Sequence, residues 1–122
     1  MLFYANITEW GPQAERWLAN KGKRYQMIAM VETHVSKAKA PDAFLKISKD
    51  DWKSSRCDAL LTGRSAEGTT GGEMVLARKS VAATTFDGMK TQSMSQYGID
   101  PCHGFAPMTW HRRSGNIVVI AF

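Results

Sequence analysis

The chain has 122 residues, 43% of them hydrophobic and 22% charged, which excludes an intrinsically disordered protein and fits one domain or part of a larger one. Its formal charge of +5 is unevenly spread: residues 1–56 carry ten Lys/Arg against six Asp/Glu, and the remainder six against five. Such an excess attracts polyanions, or simply keeps the surface solvated. Two cysteines, Cys57 and Cys102, are too few for a disulfide framework or a four-ligand zinc site.

Leu2 to Ile7 is a short apolar run that reads as a strand buried on both faces. Pro12 suits the first turn of a helix, where its missing N–H has no partner to lose. Ala14, Trp17, Leu18 and Lys21 recur at helical spacing, and Gly22 is placed to end the helix in a left-handed conformation. Tyr25 to Val31 is a second apolar run, stopping abruptly at Glu32. A strand–helix–strand unit of this length predicts two parallel strands. Their C-terminal ends then share one edge of the sheet, which brings Asn6 and Glu32 to the position where open α/β sheets bind ligands.

Pro41 to Asp51 reads as a second helix with Ala43, Phe44 and Ile47 on its apolar face. Cys57 to Leu61 reads as a short strand, Thr62 to Gly72 as a Gly/Thr/Ser loop and Glu73 to Lys79 as a strand. Val81 to Phe86 and Trp110 to Arg112 are further strand candidates. The turn signal Ser114-Gly115-Asn116 leads into Ile117 to Phe122, a buried strand. A chain that closes on such an apolar run reads as part of a larger fold. No run is long enough to span a bilayer and no leader pattern precedes Leu2, so the expectation is a soluble intracellular protein.

Four segments carry a resemblance: Tyr4-Ala5-Asn6-Ile7; Ile28-Ala29-Met30-Val31-Glu32-Thr33-His34; Thr62-Gly63-Arg64-Ser65 followed by Gly68-Thr69-Thr70-Gly71-Gly72 and Met74 to Arg78; and Trp110 with the Asn116-to-Phe122 strand. In order and spacing the chain resembles the N-terminal half of the endonuclease/exonuclease/phosphatase family. The strand-ending Glu-Thr-His is the most specific piece. The resemblance implies an α/β (α+β) fold, a four-layer α/β/β/α sandwich of the DNase I-like type, here incomplete over residues 1–122. It implies a Mg²⁺- or Mn²⁺-dependent hydrolase acting on nucleic-acid phosphodiesters or on a small phosphoester.

Within it, Glu32 matches the metal-binding glutamate and Asn6 the strand-end asparagine that supports the ion. One ion is expected, in an incomplete site. Arg64, Ser65, Thr69 and Thr70 are candidate phosphate contacts from the Gly-rich loop. His34 is a candidate orienting residue beside Glu32 rather than a base. The family's Asp-x-Asn and Ser-Asp-His motifs, which supply its nucleophile-activating residue and its base, are absent, so the chain alone is expected to be inactive. Glu73 departs from the family, which has a small or apolar residue there. The competing readings are a non-catalytic nucleic-acid-binding or interaction module, with Trp110, His111, Arg112 and Arg113 as a basic aromatic patch, and a gene fragment without independent function. Asp100, Cys102 and His103 are close in sequence but read as coincidence in a Gly/Pro loop.

Overall fold

The computed structural model describes residues 1–63, 68–85 and 106–122. They form a mixed α+β arrangement with several sheets. The first sheet has strands β1 (Leu2–Asn6), β2 (Met27–Val31), β3 (Trp52–Cys57) and β6 (Glu73–Arg78) in the order β1-β2-β6-β3. Strands β1 and β2 are parallel, while β6 runs antiparallel to both β2 and β3. Two residue pairs, β4 (Leu60–Leu61) and β5 (Thr69–Thr70), make a small antiparallel ribbon. Strands β7 (Ala83–Thr85), β8 (Ala106–Trp110) and β9 (Ile117–Ala121) form a second antiparallel sheet in that order.

The parallel pair arises as the sequence requires, through helix α1 (Pro12–Asn20) and a single 3₁₀ turn at Gly22–Arg24. Pro12 stands in the first turn of α1, and the Lys21 N–H closes the helix on the Trp17 carbonyl at 2.7 Å. Trp17 stacks with Tyr25 and packs against Phe3, with ring centroids 6.3 and 4.9 Å apart. Gly22 is not in a left-handed conformation, contrary to the sequence expectation. It is buried, and a Cβ there would meet Leu18 Cδ1 at 2.9 Å and Ile28 Cδ1 at 3.3 Å. Close packing of the turn on the sheet, rather than backbone hand, calls for glycine here.

Helix α2 (Ala40–Lys49) buries Ala40, Phe44 and Ile47. Asp42 in its first turn and Lys46 and Lys49 in its last complement the helix dipole. Both helices cover one face of the first sheet, around Ile28, Met30, Trp52, Met74 and Leu76. The other face carries Met27, Ala29, Val31, Val75 and Ala77, packed against Ala106, Met108, Val119 and Ala121 of the second sheet. Among the described residues the layers therefore run helices, sheet, sheet. No helix among them is long and apolar enough to cross a membrane.

Several strand expectations shift: the strand expected at Trp110 to Arg112 is Ala106–Trp110, and Ile117–Ala121, expected to be buried, leaves Ile117 and Val118 exposed. The sequence placed a strand at Cys57 to Leu61, but the main strand is the preceding polar stretch Trp52–Cys57, only Trp52 and Ser55 of which are buried. It is an edge strand, where Lys53 and Arg56 are tolerated and guard against pairing with other chains. Arg56 also lies over the Phe44 ring, 4.6 Å from its centroid. Strand β1, expected to be buried on both faces, is likewise an edge strand among the described residues: Leu2 and Tyr4 are exposed, where the described strands of the second sheet do not extend.

Candidate functional site at the strand ends

The register of the first sheet aligns one row of residues across its edge. Asn6 pairs with Val31, Val31 with Glu73, and Glu73 with Cys57. Pairing partners share a face, so Glu73 stands beside the end of β2, where the chain turns outward at Glu32. The parallel crossover thus brings Asn6 and Glu32 to one edge, and β6 adds a second carboxylate.

The chain beyond β2 is pinned by the glycines before β6. The Thr33 and His34 N–H groups donate to the Gly72 and Gly71 carbonyls, each at 3.0 Å. Gly72 has φ +91°, and a Cβ there would lie 2.5 Å from Thr33 Oγ1 and 3.2 Å from the His34 backbone nitrogen. Only glycine allows this approach. The Trp10 N–H donates to the Thr33 carbonyl at 2.8 Å, tying in the segment after β1.

Three non-glycine residues among those described adopt left-handed backbone: Thr8 (φ 65°), Glu32 (56°) and His34 (55°). All three lie at this edge. Each such residue costs roughly 1–3 kcal/mol, and strain of that kind gathers where structure serves a site. Asn6 offsets part of it, since its Oδ1 accepts the Thr8 N–H at 3.1 Å.

His34 is held from two sides. Its Nδ1 faces the Thr69 carbonyl at 3.0 Å and the Thr69 hydroxyl at 3.2 Å, and its Nε2 lies 3.5 Å from Glu32 Oε2. Donation of Nδ1–H to the carbonyl would leave the Nε2 lone pair toward Glu32; a protonated ring donates on both sides. The Glu32 side chain is 43% exposed and reaches solvent. Glu73 is the opposite case. Its carboxyl is buried, and its pKa is pushed up to about 7, first by loss of hydration and then by the charge of Glu32, with a hydrogen bond from Cys57 partly opposing them. One carboxylate of the pair is therefore solvated and the other holds a proton near neutrality. A cleft of about 340 Å³ adjoins the cluster, lined by Thr8, Glu9, His34, Lys39 and Thr69.

Of the residues singled out from sequence, Asn6, Glu32, His34 and Thr69 come together here. Thr69 does so by holding His34 rather than by offering a free hydroxyl. Thr70 is exposed on the same ribbon. Arg64 and Ser65 lie outside the described residues, as do Asp100, Cys102 and His103. The Trp110 patch is elsewhere. The His111 N–H donates to the Ala82 carbonyl, just past the Arg78 end of β6, roughly 17 Å along the strand from Glu73. There Arg112 lies 5.3 Å from the Trp110 ring centroid. Sequence reasoning passed over Glu73 and Cys57 as site residues. The available signal was a charged residue opening an otherwise apolar strand. No model of a known protein family matches this chain, and no curated protein does.

Proposed function

We propose that this chain carries the metal-holding part of a Mg²⁺- or Mn²⁺-dependent phosphodiesterase of the endonuclease/exonuclease/phosphatase type, with nucleic acid as its substrate class and a DNase I-like sandwich as its parent fold. The observation that supports it best is the meeting of Asn6 and Glu32 at the shared end of parallel β1 and β2, on backbone strained at Thr8, Glu32 and His34.

The donor set suits one hard cation held loosely. Glu32 offers a solvent-reaching carboxylate, and Asn6 Oδ1 has a lone pair left after accepting the Thr8 N–H. Among the described residues no group of three or more His, Cys, Asp or Glu is gathered tightly enough to cage a metal. Mg²⁺ fits such a place because it keeps several waters and takes one or two carboxylates. A bound ion supplies Lewis-acid polarisation of a phosphoryl oxygen and stabilises the leaving oxyanion. His34 orients Glu32, and Thr69 fixes the His34 ring. With one nitrogen on Thr69 and the other toward Glu32, His34 is poorly placed to take a proton from an attacking water. The chain alone is thus expected to bind the cation and to turn over little or not at all.

Titration with Mn²⁺, followed by electron paramagnetic resonance, tests this. One weak site is expected in the native chain, lost in Glu32→Gln and weakened in Asn6→Ala. Equal Mn²⁺ binding by native chain and Glu32→Gln would refute the metal role. Mg²⁺-dependent nicking of supercoiled plasmid that Glu32→Gln abolishes would keep the phosphodiesterase reading and refute the inactivity of the chain by itself.

A further inference from the structure

Lys39 stands at the N-terminal end of α2 and lines two clefts. One, of about 340 Å³, it shares with Thr8, Glu9, His34 and Thr69; the other, of about 260 Å³, reaches between α1 and α2. Glu9 and His34 line both as well, so the two meet beside the candidate metal site. The backbone of Lys39 is held in place. Its N–H and that of Ala40 donate to the Ser36 carbonyl at 3.1 and 3.0 Å, and Ser36 is bridged to Ala59, just before β4. The lysine therefore extends from a fixed point in the segment that carries His34.

Helix α2 does not account for a lysine here. The position that caps a helix favours Ser, Thr, Asp or Asn, whose side chains accept the first free N–H groups, and the positive end of the helix dipole disfavours a cation. Lys39 occupies that position and makes no capping bond. Nor does an ion pair hold it. Lys23, Lys46, Arg56 and Arg78 each meet a carboxylate, whereas Lys39 is paired with none among the described residues.

The larger cleft suits an anion better than a base. Its lining offers two threonine hydroxyls, an imidazole and an ammonium, with no apolar side chain and no Phe, Tyr or Trp on which a base could stack. Thr8 and Lys39 are both exposed there. Glu9 is the one carboxylate among these lining residues, is exposed, and is not bonded to Lys39. In the second cleft Glu15 is engaged by Lys46 at 3.6 Å, and Asp42 lies in the first turn of α2. A nucleic-acid strand carries a charge about every 3.4 Å along its axis, so a strand with one phosphate on an ion at Glu32 presents further phosphates to the groups beside it.

We propose that Lys39, with the Thr8 hydroxyl, seats a backbone phosphate of nucleic acid next to the phosphate polarised by the cation at Glu32. This assignment rests on the phosphodiesterase reading above. A lysine acts on phosphate as a point charge, so the contact fixes the position of the strand and reads no sequence.

Binding of a short fluorescein-labelled DNA duplex at fixed Mn²⁺, followed by anisotropy over a range of salt, tests the contact. Lys39→Ser removes the charge and supplies a preferred capping residue, so the variant is expected to melt no lower than the native chain. Its affinity is expected to fall about tenfold at low salt, equally for duplexes of different sequence, and the slope of log affinity against log salt to shrink by about 0.9, the share of one phosphate contact. Lys39→Arg is expected to keep the native slope. Lys49→Gln, which deletes an equal charge in the last turn of α2, is expected to keep it too. Mn²⁺ affinity by electron paramagnetic resonance is expected to be the same in Lys39→Ser and in the native chain, which separates this contact from the metal site. Mn²⁺ binding indifferent to Glu32→Gln would overturn the metal reading. A native salt slope in Lys39→Ser, at intact Mn²⁺ affinity, would overturn the Lys39 contact alone. Equal losses in Lys39→Ser and Lys49→Gln, or no saturable duplex binding by the native chain, would overturn it as well.

Discussion

Replacing Glu73 by glutamine isolates the stability that its proton confers. In the folded chain this carboxyl titrates at about 7, against an ordinary value of 4.5, because burial and the Glu32 charge oppose its ionisation. The folded state therefore holds a proton that the unfolded chain has released throughout that interval. The sign follows: between pH 4.5 and 7 the native state binds more protons, so stability falls as pH rises. At one pKa unit per 1.36 kcal/mol, the full loss is about 3 kcal/mol, present once pH exceeds the folded value. Glutamine keeps the shape and carries no charge, so Glu73→Gln does not undergo this loss. Urea unfolding of both proteins from pH 4 to 9 reads the difference directly, and titrations of all other groups cancel to first order. The native chain is expected to lose about 3 kcal/mol relative to Glu73→Gln across the window, roughly 10 °C in melting temperature for a domain of this size. Glu32→Gln should recover part of that loss by removing the like charge. A difference curve that is flat, or that rises with pH, would refute the assignment of Glu73 as a buried, proton-holding carboxyl.

Gly72→Ala combines a left-handed backbone with a Cβ 2.5 Å from Thr33 Oγ1, so a loss of roughly 2–4 kcal/mol is expected by urea unfolding, together with release of the Thr33–His34 segment. Leu76→Ala, at a fully buried position in the centre of the first sheet, should cost about 2–5 kcal/mol, whereas Leu60→Ala, 51% exposed, should change stability by less than about 0.5 kcal/mol. Thr69→Val removes the hydroxyl contact to His34 Nδ1 but not the carbonyl, so ¹⁵N shifts of the His34 ring should change while global stability moves by about 1 kcal/mol or less.

Much of the helical side of the fold was legible because its signals are local. Pro12 and Pro41 open helices, and the spacing of Trp17 with Leu18, and of Phe44 with Ile47, declares their inward faces. The parallel pairing of β1 with β2 follows from the length of the connection alone. Strand β3 was misplaced because an edge strand need not be apolar: Lys53, Ser54 and Arg56 give no periodic signal. At the candidate site, Asn6, Glu32 and His34 were readable as residues closing apolar runs. Glu73 was not, because its meaning depends on antiparallel register with β2, a non-local property that places it beside the end of one particular strand.

The same division explains what each level determines. The amino-acid sequence by itself specified the two helices and the strands β1, β2 and β6, that two of these strands run parallel, and that Asn6 and Glu32 close them, since each follows from periodicity, turn chemistry and chain length. Only the tertiary structure decided that Glu73 and Glu32 share an edge, with Glu73 buried and its pKa raised while Glu32 reaches solvent, because burial and charge proximity arise when distant strands pair. It also decided that β1, apolar from Leu2 to Ala5, lies at the edge of its sheet among the described residues, with Tyr4 exposed. An apolar run records an affinity for partners, and the layer above it determines which of its two faces is satisfied within the chain.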